Sequence, residues 1–191
     1  MSATPNPVAA PAIPAEEWAR VHGLLRDTEA EFLALLSGIT NEQWSHKPAP
    51  GNWSVQEAAA HLVVAEMGLL AKVHEALAAP PNPDWEEQTG RKTALLERVL
   101  PVAEQKAQAP DPVRPRELWS RDETIVRFRE ARAATQRFAA QTGRPMRDHT
   151  AEHPFPVFNT LSAWQWLLYI PLHQQRHCRQ IAGILEQYKK G

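Results

Sequence analysis

Apolar positions recur at helical spacing in four long stretches of the chain. From Ala15 the series Trp18, Val21, Leu25, Thr28, Phe32, Leu35, Ile39 advances by threes and fours, interrupted only by the polar Thr28. That is the seam of an amphipathic helix, with Gly38 and Thr40 near its end. A second face is Val55, Ala58, Ala59, Leu62, Leu69, Leu70, Val73 and Leu77, stopped by Pro80-Pro81. It opens on Ser54-Val55-Gln56-Glu57, in which serine can cap the free backbone donors and glutamate can reach back. A third helix is predicted from about Asp122 to Gln141 on Ile125, Phe128, Ala131, Thr135 and Phe138, ended by Gly143-Arg144-Pro145. The fourth spans about Thr160 to Tyr188, with Trp166, Tyr169, Ile170, His177, Gln180, Ile181, Ile184 and Tyr188 within about 80° of His173 on a helical wheel.

The segments between these helices are proline-broken. Pro5, Pro7, Pro11 and Pro14 keep residues 1–14 out of a helix and predict a disordered tail, which leaves 15–191 as one domain. Seven of the 17 prolines lie between Pro80 and Trp119. One helix-compatible piece survives there, Thr93 to about Gln108, divided or kinked at Pro101. This stretch reads as a long crossover between the second and third helices. No strand-period segment of useful length and no internal repeat occurs. Four amphipathic stripes bury one another most simply as an all-α four-helix bundle.

Composition narrows the class. A 191-residue chain with 43% hydrophobic residues supports one substantial core. Its 21 basic and 22 acidic residues are mixed along the chain, giving no broad basic surface for nucleic acid. No apolar run reaches the roughly 20 residues of a spanning helix, and the start lacks the pattern of a secretory signal, so a soluble cytoplasmic protein without a membrane partner is expected. Cys178 is the single cysteine; any metal must therefore use His, Asp or Glu.

His173 and His177, in the segment HQQRH, stand four apart on the inward face of the last helix, where two imidazoles can converge on one ion. Pro171 lies one turn earlier and would bend the helix locally. Such a pair alone is more often two hydrogen-bonded core histidines. His61 is the candidate third ligand, on the edge of the second helix's apolar face among Ala58, Ala65 and Gly68, and aimed at a seam between helices. His149 and His153 repeat the spacing in an irregular segment with Pro154 and Pro156 and read as loop residues, His153 near the mouth of the site. His22, His46 and His74 read as surface or seam residues, and Trp44, Trp53, Trp164 and Trp166 as core closure. Arg176 is a potential handle for an anionic substrate, although a solvated or paired arginine is the commoner case.

Two segments together resemble the DinB-like (DinB/YfiT) superfamily: EQWSHKPAPGNWSVQEAAAHL, Glu42 to Leu62, and HPFPVFNTLSAWQWLLYIPLHQQRHCRQI, His153 to Ile181. The resemblance implies a four-helix bundle with up-down-down-up connectivity, which accounts for the long crossover. It also implies a divalent metal held by His61, His173 and His177, zinc or nickel before iron or manganese. Relatives include thiol-dependent S-transferases and isomerases, so a low-molecular-weight thiol is an implied co-substrate. The chain departs from the family pattern at Pro156, where glycine is frequent, and in its proline-rich crossover.

The expectation is therefore a metal-dependent transferase or hydrolase acting on a small molecule, with no catalytic residue assigned. Its rivals are a metal-stabilised, stress-associated bundle without turnover and an interaction module. Pairing of apolar helix faces into a homodimer is the expected assembly.

Overall fold

The computed structural model describes residues 10–102 and 117–190. Its long helices are α1 (Ala15–Leu36), α3 (Val55–Ala78), α6 (Arg121–Gln141) and α7 (Ala163–Lys190); short helices α2 (Asn41–Ser45), α4 (Trp85–Thr89) and α5 (Lys92–Val99) lie between them. Residues 10–14 are coil, and Ile13 packs against the core. The tail expected over 1–14 otherwise lies outside the described residues.

The four long helices close into a bundle in which α7 packs on α3 and α1, and α6 packs on the same two. Their directions follow from which ends meet. Trp18 at the start of α1 makes an edge contact with Trp164 at the start of α7, and Thr28 meets Gln174 further along, so α1 and α7 run parallel. Gln56 at the start of α3 donates to the carbonyl of Trp119, just before α6, and Glu66 meets Arg132 midway, so α3 and α6 also run parallel. Arg121 at the start of α6 reaches the carbonyl of Ile39, beyond the end of α1, which sets the second pair against the first. The order is up-down-down-up. Because α3 and α6 share a direction, the chain must return the length of the bundle between them, which is the task of the crossover.

Within that crossover, α5 ends at Val99 and a 3₁₀ turn, Leu100–Val102, carries Pro101, consistent with the backbone donor that proline lacks. Residues 103–108 of the predicted helical piece lie outside the described residues. Lys92 donates to the carbonyls of Phe158 and Thr160, both at 2.7 Å, and ties the crossover to the segment before α7.

Three helix starts are fixed by reciprocal side-chain caps: Thr40 with Gln43, Ser54 with Glu57, and Ser162 with Gln165. The last of these places the start of α7 at Ala163, three residues later than the periodicity suggests. Thr160–Ser162 instead pair antiparallel with Thr150–Glu152, a two-stranded ladder (β2 with β1) that the sequence reading had not assigned. α7 continues through Pro171.

The bundle is not wholly apolar inside. Arg132 and Glu66 are 0% and 4% exposed, joined by Nε to Oε1 at 2.7 Å and Nη2 to Oε2 at 3.0 Å. Arg132 also donates to Gln174 of α7 and to Thr28 and the Leu25 carbonyl of α1. Gln174 in turn donates to the Thr28 carbonyl at 2.9 Å. One charged network thus joins all four long helices and pins the rotation of α7 beside His173.

Candidate metal centre

The pinned rotation of α7 turns His173 and His177 toward α3, where His61 meets them. The Nε2 atoms of His61 and His173 are 3.4 Å apart, and those of His177 and His173 are 3.2 Å apart. The three rings offer one ligand atom each, all mutually within 4.8 Å. Bonds of about 2.0–2.1 Å from nitrogen to a tetrahedral ion require nitrogens about 3.3 Å apart, so this donor set has the right span for one ion. The donor chemistry agrees, because three neutral imidazoles suit zinc, nickel and related ions and leave coordination positions open.

His61 and His177 are buried, and His173 keeps some exposed surface. Burial, reinforced by the neighbouring imidazoles, holds His173 well below the usual histidine range and pushes His177 down to about 3. Both rings are thus neutral, the form a metal requires. Nδ1 of His177 is 2.7 Å from Oε1 of Gln180, an acceptor, so the ring proton sits on Nδ1 and the Nε2 lone pair is left for the shared centre. Glu57, one turn before His61, is occupied by its cap and by Lys47 at 2.7 Å.

Trp53 packs against the core, as the core-closure reading expects, and also touches the histidines. Trp44, Trp164 and Trp166 are buried in the core, whereas Trp53 is half-buried and lies against the histidines, 5.0 Å from the His61 ring and stacked on His177 at 6.2 Å. Its place just ahead of the Ser54 cap was the available signal. His22 and His46 are half-buried and His74 is exposed, as seam or surface residues would be. Cys178 is fully buried, and burial raises its thiol to about 12, which makes it inert.

His149 and His153 lie in irregular backbone on either side of β1, as expected of loop residues, but both side chains are buried. His149 donates from Nδ1 to the Ala79 carbonyl at 2.8 Å, satisfying the chain as it leaves α3. His153 is stacked on Trp166 at 5.0 Å and meets Tyr169 in a tilted contact at 5.3 Å, and Tyr169 stacks on His173 at 5.8 Å. Pro154 and Pro156 hid this, since the side chain's position depends on the β1–β2 ladder and not on helical periodicity. Arg176 is half-buried, and its charge bears on Tyr169, His173 and His177.

Comparison with known proteins gives the same outline. The chain is 26% identical over 158 residues to the uncharacterized protein YuaE of Bacillus subtilis, covering 81% of this chain and 91% of that protein. Its fold matches a solved structure of YfiT from Bacillus subtilis, described as a probable metal-dependent hydrolase with an unusual four-helix bundle topology. That match has a TM-score of 0.60 and 14% identity, and covers 95% of this chain and 93% of the other. At that identity the likeness concerns the fold. The DinB superfamily model matches residues 24–181, most of the chain and all three histidines, and the chain belongs to the DinB superfamily.

Proposed function

We propose that this protein is a divalent-metal-dependent enzyme of the thiol S-transferase or hydrolase type, with His61, His173 and His177 as the ligands. The observation that carries the reading is the convergence of three Nε2 atoms between α3 and α7, two of the separations being 3.2 and 3.4 Å. The description of YfiT as a probable metal-dependent hydrolase supports it. A divalent ion held there would supply Lewis acidity and lower the pKa of a thiol or water presented to an electrophile.

The chain's own residues do the rest. Gln180 holds His177 in the tautomer that offers Nε2. Trp53 and Tyr169 pack against the imidazoles and limit water around them. Arg176 adds positive charge near the centre, which suits a thiolate or another anion over a cation. No carboxylate belongs to the triad, so an ion bound by it keeps its full positive charge.

A second reading has its own observation in favour. The ligands come from α3 and α7, which pack closely, so an ion would clamp them together and serve stability alone. Metal loading followed by a substrate screen separates the two. The enzyme reading expects thiol-transfer or hydrolytic turnover that is lost on chelation and restored by zinc, nickel, iron or manganese. A large drop in melting temperature on chelation, with no turnover in the screen, favours the clamp.

A further inference from the structure

We infer that His153 is the hydrogen-bond donor for an oxygen of an anionic substrate bound beside His173, an inference that rests on the metal-dependent reading above. The ring is fixed in both position and tautomer. Trp166 stacks on it at 20°, Tyr169 lies against it tilted by 34°, and Phe158 meets it edge-on at 4.8 Å. The backbone N–H of Phe155 donates to Nδ1 at 3.0 Å, which places the proton of the neutral ring on Nε2. The loop that makes this contact is closed by the His153 N–H on the Asn159 carbonyl, with Asn159 at φ 49°, a left-handed turn that asparagine tolerates.

Nε2–H is then a donor from which no protein group among the described residues accepts, and the atom itself is not closed off from solvent. A partner from outside the chain, ligand or water, can therefore reach it. The position along α7 supports a ligand. Trp166, Tyr169, His173 and His177 follow one another at helical spacing, and a single stacked ring, Tyr169, separates His153 from His173.

Charge selects the class. The full charges bearing on His153 are those of Lys72 and Lys92, and Arg176 bears on His173 and His177. Burial, the leading cause, takes His153 down to about 4, so it offers its proton near neutral pH without adding charge next to an ion. A neutral donor beside a cationic centre suits a carboxylate or similar oxyanion better than a cation or an apolar molecule.

The test uses the full chain loaded with cobalt(II), whose visible absorption reports ligands entering the centre. Two probes are titrated, acetate, which has an oxygen to accept from His153, and ethanethiol, which has none. His153→Phe keeps the aromatic packing and is expected to take up cobalt as the wild type does, to weaken acetate at least 10-fold, and to leave ethanethiol within twofold. His153→Gln, which restores an N–H, is expected to recover part of the acetate affinity. Long-range proton–nitrogen NMR on the metal-free protein should place the His153 proton on Nε2. Acetate affinity within twofold of wild type in fully loaded His153→Phe, no acetate binding to the loaded wild type, or a proton on Nδ1 would each overturn the inference and leave the three-histidine centre standing. Failure of the wild type to take up cobalt would overturn the metal-dependent reading, and the inference with it.

Discussion

Gln180 accepts a hydrogen bond from His177 Nδ1 at 2.7 Å, three residues later on the same helix. That spacing brings the two side chains to one face of α7, and the bond decides which nitrogen of His177 looks toward His61 and His173. Replacing Gln180 with alanine removes this orienting partner while leaving all three imidazoles in place. The account predicts a loss of about 10-fold or more in metal affinity, the usual scale for such partners. Competition titration against a chelator of known affinity measures it.

The Arg132–Glu66 network predicts strong non-additivity. Arg132→Met leaves the Glu66 carboxylate buried without its partner and should destabilise the fold by about 3–5 kcal/mol. In Arg132→Met/Glu66→Met no charge is left stranded, so the double variant should be more stable than the Arg132→Met single. Urea denaturation of the wild type, both singles and the double yields the coupling energy; additive losses would show that the network is not a unit.

His153 predicts acid sensitivity. Above pH 6.5 the folded and unfolded forms are both largely neutral, whereas between pH 6.5 and about 4 the unfolded chain binds a proton that the folded one refuses. Stability should therefore fall as pH drops through that window, by up to about 3 kcal/mol from this ring. His173 and His177 act in the same direction, so the signature of His153 is a shallower acid loss in His153→Phe than in the wild type. Urea midpoints at pH 7.5 and 4.5 for both proteins measure it.

Trp53 should report the centre optically. It lies against His61 and His177, so nickel or cobalt bound there should quench its emission more than that of the core tryptophans. Trp53→Phe is expected to abolish most of the metal-dependent quenching in a chain with seven tryptophans. Undiminished quenching in that variant would place the ion elsewhere.

Much of this architecture was legible because it is local. The four stripes, the Ser54–Glu57 cap and the His173–His177 spacing depend on residues within a turn or two of one another, and helical periodicity places them without tertiary information. The Ser162–Gln165 cap obeys the same local rule, and it, not the periodicity that points to Thr160, sets the start of α7. His61 was placed at a seam by its wheel angle, and family resemblance linked it to the last helix. Arg132 and Glu66 were not legible: each is a charged residue on an amphipathic helix, and their pairing across 66 positions exists only once α3 and α6 lie side by side. His153 escaped for a related reason, since a two-stranded ladder and a left-handed Asn159, not a periodic face, bring it onto Trp166.

The most direct test of the central claim is the metal stoichiometry of the wild type and of His61→Ala, His173→Ala and His177→Ala, measured by elemental analysis after loading with zinc and removal of excess. The account predicts one ion per chain in the wild type and a drop to well below half occupancy in each variant, with helical content retained. Wild-type stoichiometry in His177→Ala would contradict it.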